Sequence, residues 1–244
     1  MTTLTLVILG CILILAHTAE TVLGFGATLI ALALGAYLLP IETLVPVLVI
    51  LALLQSIWLV IRWFRFIYWQ TLLMYILPLA AVGMVIGIFS REIADEKTLK
   101  MVLACFIIIV SITELVLLFM KKKHYRQLDW YYSVPLLIGG GIFHGLFATG
   151  GPPIIYYASR RFKAQQTFRA TLSMLWLILN VGLITGFLVG GQIDLAILKM
   201  TAFVLPGFAI GVIIGSIISV KEFWFKVLTY VLLFLSGLFL LIQV

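Results

Sequence analysis

Two stretches of this 244-residue chain carry residues whose types and spacing can do chemistry. In the second half, Gly139-Gly140-Gly141-Ile142-Phe143-His144-Gly145 leads into Thr149-Gly150-Gly151-Pro152-Pro153; in the first, His17-Thr18-Ala19-Glu20-Thr21 leads into Gly24-Phe25-Gly26. Glycine is too free, and proline lacks the amide, for an ordinary helix to run on through either stretch. A helix restarting after the break presents its first N–H groups and the positive end of its dipole, which is a seat for an anion. Pro152 and Pro153 suit early helical positions, where a missing N–H costs little, and Gly26-Ala27-Thr28 opens the corresponding helix. The plain alternative is that these glycines only let helices pack closely.

Around the breaks stand further candidates. His17 and Glu20 are three apart and share one face of a helix, a spacing that suits a metal or a proton relay, although two ligands do not make a metal site. His144 lies seven residues, two helical turns, before Gly151. Gln55 and Asn180 occupy comparable places in the segments that follow the two breaks, 125 residues apart. Their amides can donate to an anionic oxygen without burying a charge, or simply tie helix to helix at about 1 kcal/mol. Ser173 and Thr171 share a segment with Asn180, and Arg169 flanks its start, with Arg160, Arg161 and Lys163 nearby to draw anions or touch anionic lipid. Glu114 reads as reaching toward a basic segment end, Cys11 and Cys105 as packing residues, and Trp58, Trp63, Trp69, Trp130 and Trp224 as interfacial anchors.

These residues have to be positioned by membrane helices. The chain is 64% hydrophobic and 10% charged, against roughly 25% charged in soluble domains. Apolar runs cover 4–38, 43–61, 71–90, 98–120, 130–158, 168–189, 195–219 and 223–243, many of them of spanning length. The run 4–16 has no Lys or Arg before it and is read as a retained segment rather than a signal peptide. The first run, as one helix, would be about 50 Å long, well beyond a hydrocarbon core near 30 Å, so it must break. Leu77-Pro78 with Gly83 and Gly87 recurs as Leu205-Pro206 with Gly211 and Gly215, each 128 residues later, which marks an internal repeat. If all eight runs cross once, the basic residues show no useful bias. If the first and fifth are hairpins that enter and leave on one side, Arg91, Lys97, Lys100 and Lys199 face one way and the other twelve the opposite way. The expected fold is therefore an all-α integral membrane protein of two inverted-topology repeats, each a broken-helix hairpin plus three transmembrane helices. The repeats cover 1–120 and 130–244, joined by a basic cytoplasmic linker at 121–129.

The pattern resembles the TauE/SafE family of anion transporters, often described as sulfite exporters. The resemblance rests on the Gly-rich motif opening each half, Arg169-Ala170-Thr171-Leu172-Ser173, Gly190-Gly191-Gln192-Ile193-Asp194, the Leu-Pro pair and Gly211/Gly215. It implies export of sulfite or a small organosulfonate such as sulfoacetate across the cytoplasmic membrane, with no bound cofactor and no enzymatic step. The family's motif carries over to Gly24 and Gly26, and to Gly145, Gly150, Gly151 and Pro152. Where family members often have three successive glycines, this chain has Phe25 and Thr149, which change pocket size and donors toward an organic sulfonate. The expected partners are a small anion and the lipid bilayer, with no nucleic acid and with self-association open. The anion is expected between the two tips, near Gly24, Phe25, Gly26, Gln55, His144, Thr149, Gly150, Gly151, Pro152, Arg169, Ser173 and Asn180, with Glu20, His17 and His144 as candidates for proton coupling. A passive anion channel, and an intramembrane metalloenzyme using His17, Glu20 and His144, are the alternatives.

Overall fold

A computed structural model of the chain describes residues 3–23, 26–120, 128–218 and 222–243. Its helices are α1 (Thr3–Leu23), α2 (Ala27–Gly35), α3 (Ile41–Trp63), α4 (Trp69–Thr71), α5 (Leu77–Ile93), α6 (Glu96–Phe119), α7 (Trp130–Phe147), α8 (Gly151–Arg161), α9 (Gln165–Val189), α10 (Leu195–Ile217) and α11 (Glu222–Gln243). No strand occurs among the described residues. Six stretches there are long and apolar enough to cross a membrane: Thr3–Thr21, Ile41–Phe66, Trp69–Ile93, Glu96–Phe119, Gln165–Val189 and Leu195–Ile217. Ile61, Phe89, Ile109 and Ile213 lie on their exposed sides, a surface that suits lipid rather than water.

Both long runs break at the expected tips, but α7 runs on unbroken through Pro135 and through Gly139, Gly140, Gly141 and Gly145, glycines that were expected to interrupt it. Gly26 takes a left-handed conformation, φ 101°, just before α2, and Ala148 does so at φ 55° just after α7. The arms of each hairpin are unequal. α1 has 21 residues and α7 has 18, about 32 and 27 Å at 1.5 Å per residue, whereas α2 has 9 and α8 has 11, about 14 and 17 Å. Each hairpin thus joins an arm close to a full crossing to a return of about half that length. Gly24 and Phe25, and residues 121–127 of the expected linker, lie outside the described residues.

Proline shapes two further helices. Pro78 has no N–H to bond four residues back, and the helix before α5 widens into a π-helical stretch over Leu72–Ile76. Its sequence counterpart Pro206 sits inside α10 without such a stretch. Asp95 caps α6 by accepting from the Thr98 N–H at 3.3 Å, and Asp194 caps α10 by accepting from the Ile197 N–H at 2.8 Å. The Gly190-Gly191 pair closes α9, with Gly191 at φ 66° and the Gln192 N–H bonded back to the Phe187 carbonyl.

The helices group into two compact units that do not follow the halves 1–120 and 130–244. One comprises residues 1–48, 94–122 and 193–244; the other comprises 49–93 and 123–192. In the first unit α1 lies along α10 and α6 along α11, while α2 touches α1, α6 and α11. Ser236 Oγ donates to the Ala33 carbonyl at 2.9 Å, and Tyr37 OH donates to the Ser236 carbonyl, so α11 holds α2 in place. In the second unit α5 lies along α7, and α8 lies between contacts to α7 and α9.

The two units use the same contact. A Cβ at Gly83 would stand 2.0 Å from the Ile138 carbonyl oxygen, and one at Gly87 would stand 2.2 Å from that of Ile142, so α5 and α7 meet backbone to backbone. Gly141 and Gly145 answer from α7, at 2.1 Å from the Ala80 oxygen and 2.2 Å from the Met84 oxygen. In the other unit Gly207, Gly211 and Gly215 of α10 face the carbonyl oxygens of Gly10, Ile14 and Thr18 at 2.6–2.7 Å by the same measure. Thr18 Oγ1 adds a hydrogen bond to the Gly211 carbonyl at 3.1 Å. The faces correspond residue by residue: Gly83 and Gly87 to Gly211 and Gly215, 128 apart, and Ile138 and Ile142 to Ile14 and Thr18, 124 apart. Each hairpin arm is therefore packed by a helix from the other sequence half, a small-residue contact of the kind that lets helices approach closely in lipid.

Candidate functional site

The second unit holds the break that best fits a ligand. α7 ends by bonding the Ala148 N–H to the His144 carbonyl at 2.7 Å, and the chain turns back through Thr149 and Gly150 into α8. Gly150 is required by contact rather than by dihedral angle: its φ is −65°, but a Cβ there would stand 2.0 Å from the Gly140 oxygen and 2.7 Å from His144 Cβ. The return is thus pressed onto α7 one turn before His144. Gly151 opens α8 with room to spare, since a Cβ there would meet only the end of the Ile155 side chain at 3.2 Å. Pro152 and Pro153 follow at positions where no intrahelical N–H is needed.

α9 closes this space from the side. Trp176 stacks on the His144 ring, with centroids 5.3 Å apart and planes at 25°, and Asn180, one turn further along, lies beside the same imidazole. His144, Thr149 and Asn180 are all more than nine-tenths buried. Yet His144 Nε2, Thr149 Oγ1 and Asn180 Oδ1 make no well-formed hydrogen bond among the described residues, the nearest approach to one being the side-chain contact between the His144 ring and the Asn180 amide. A buried polar atom left unmet costs about 1–3 kcal/mol, a cost that a polar guest at the start of α8 would offset. Thr149 can donate its hydroxyl hydrogen, and His144 can donate from the ring nitrogen. The Asn180 amide offers a donor or an acceptor according to which way it is turned.

Two other candidates on α9 are hydrogen-bonded within the unit. Ser173 Oγ donates to the Arg169 carbonyl at 2.8 Å on its own helix, and Thr171 Oγ1 accepts from the Tyr68 N–H at 3.0 Å. Arg169 is half-buried one turn before Ser173, and Gln55 is buried on α3 in the same unit. Trp176 is the residue that sequence reasoning missed. Its signal is position: it sits in mid-segment, three after Ser173 and four before Asn180, on the stripe of α9 that carries both.

The first unit treats its break differently. Glu20 Oε2 accepts the Ala27 N–H at 2.7 Å, so the opening of α2 is occupied by the chain's own carboxylate. By the 124-residue correspondence Glu20 matches His144, and Ala27 matches Gly151. Where one hairpin carries an acid on the helix start, the other carries an imidazole with an unmet nitrogen. His17 is buried edge-on against Phe208 at 4.6 Å. Glu114 accepts from the Tyr230 hydroxyl at 3.3 Å. Among the described residues no three His, Cys, Asp or Glu side chains are grouped so as to hold a metal ion, so His17, Glu20 and His144 offer no such centre there.

The family model described as Sulfite exporter TauE/SafE matches residues 8–240, nearly the whole chain. No curated protein and no solved structure matches it.

Proposed function

Starting from a chain that belongs to the TauE/SafE family of sulfite exporters, we propose that it carries a small sulfur oxyanion or organosulfonate out of the cell across the cytoplasmic membrane. The anion is seated at the start of α8, among Gly150, Gly151, Thr149, His144 and Asn180. The observation behind this reading is the set of three buried, unmet polar atoms on His144, Thr149 and Asn180 at a broken-helix tip. Glu20 fills the corresponding place at α2 and would repel a second anion there. Export needs no further driving force than the inside-negative potential, which favours the exit of an anion by about 2.3 kcal/mol per charge at 100 mV. If protons are coupled, Glu20 is the carboxyl placed to respond, because protonation weakens its hold on the Ala27 N–H.

Two inverted repeats moving by alternating access fit the same helix contact in each unit and the twelve-to-four division of basic residues. Trp176 over His144 gives the seat a flat apolar wall, which supports an organic sulfonate as substrate. The reading is tested by counterflow of labelled sulfoacetate into proteoliposomes preloaded with sulfite, sulfoacetate, thiosulfate or chloride. Acceleration by a sulfur-anion load, lost in Thr149→Val and in Asn180→Leu, is the expected result. Unitary currents without counterflow would make the protein a channel. Unchanged counterflow in both variants would remove the anion from this tip.

A further inference from the structure

At the opposite end of α8 the second unit holds another feature, independent of the transport reading. A cavity of about 200 Å³ is lined by the polar residues Arg161, Tyr157, Tyr75 and Ser133 together with Leu128, Leu137 and Trp130. We infer that this is a binding site for the oxyanion head of an amphiphile, with the charged group on Arg161 and the organic part against Trp130 and the leucines. The two arginines that end α8 differ in what they do. Arg160 donates to the Tyr156 hydroxyl at 2.7 Å and lies 4.5 Å over the same ring. Among the described residues Arg161 hydrogen-bonds only the Thr71 hydroxyl, at 3.4 Å, and no carboxylate there stands in ion-pair range of it. A guanidinium has five donors in a fork that matches a tetrahedral oxyanion, and most of those on this half-buried arginine are left for a ligand.

The lining fits an amphiphile better than a bare ion. Ser133 spends its hydroxyl hydrogen on the carbonyls of Leu128 or Asp129, which leaves the phenols of Tyr75 and Tyr157 as the neutral donors beside Arg161. Trp130, Tyr131 and Tyr132 form an exposed aromatic collar at the start of α7, the composition that marks a membrane–water interface. The volume lies below the roughly 300–1,000 Å³ of pockets for drug-sized molecules, and suits a compact head group whose tail stays outside. An anionic phospholipid and a free organic oxyanion share this chemistry.

The test uses the full-length protein in neutral detergent. Native mass spectrometry counts retained phosphatidylglycerol against phosphatidylcholine for the wild type, Arg161→Gln, Tyr157→Phe and Arg160→Gln. Without lipid, thermal unfolding is followed with added sulfoacetate or inorganic phosphate. A phosphatidylglycerol preference that falls about tenfold in Arg161→Gln, falls less in Tyr157→Phe and persists in Arg160→Gln identifies a lipid head group. Stabilisation by the free anions with the same pattern, and no lipid preference, identifies a soluble oxyanion. Arg161→Gln and Tyr157→Phe matching the wild type in both arms would overturn the site; Tyr157→Phe keeps the test decisive if Arg161→Gln fails to fold.

Discussion

Adjacent glycines at the α8 tip should respond in opposite ways to the same added methyl group. In Gly150→Ala the new Cβ would lie 2.0 Å from the Gly140 oxygen and 2.7 Å from His144 Cβ. Both neighbours belong to the body of α7, not to the end of a flexible side chain, so neither can swing aside. Bringing the oxygen contact out to even 3.0 Å requires α7 and α8 to part by about 1 Å, the scale of overpacking that costs about 3 kcal/mol. That shifts the folded-to-unfolded ratio on the order of 100-fold. In Gly151→Ala the Cβ meets only Ile155 Cδ1 at 3.2 Å, which a rotamer change relieves, and alanine suits a helical position better than glycine. The expected net change is under about 1 kcal/mol. Unfolding of both variants in mixed detergent–denaturant micelles, followed by circular dichroism, gives the comparison. A Gly150→Ala protein as stable as the wild type would show that the tip is not pressed onto α7 and would undo the geometry assigned to His144. Equal loss in both variants would refute the distinction between close approach and open space.

Other expectations follow from the same contacts. Gly83→Ala should cost about 3 kcal/mol because its methyl meets the α7 backbone, whereas Gly10→Ala, which faces open space, should be neutral or stabilising by up to about 1 kcal/mol; detergent melting curves rank the two. Trp176→Leu should leave the protein folded but slow sulfoacetate counterflow, since the His144 ring loses its stacked wall; an unaltered rate would take Trp176 out of the site. Glu20→Gln keeps an oxygen for the Ala27 N–H while losing the charge, so counterflow should become insensitive to pH if Glu20 carries the proton; a profile identical to wild type excludes that role. Chelator treatment should leave counterflow unchanged, and a loss restored by one added metal would revive a centre built on His17, Glu20 and His144.

What the sequence determined by itself is local. An apolar run too long for the bilayer has to break, and the clusters Gly24-Phe25-Gly26 and Thr149-Gly150-Gly151 mark where, so both breaks and the segment limits were legible. The recurring stripe was legible too, because Pro78, Gly83 and Gly87 return as Pro206, Gly211 and Gly215 at a fixed spacing. A small-residue stripe says that a helix approaches something closely but does not say what, since any backbone can fill the groove. Only the tertiary structure pairs α5 with α7 and α10 with α1, across the two halves. The same holds at the breaks. Whether an acid seven residues before a helix start reaches its amide depends on the turn between them, so the fold alone gives Glu20 to Ala27 and leaves His144 Nε2 unmet. Likewise the face of α9 that meets His144 is set by how the helices lie together, which stacks Trp176 on the His144 ring although nothing in its sequence neighbours marks that contact.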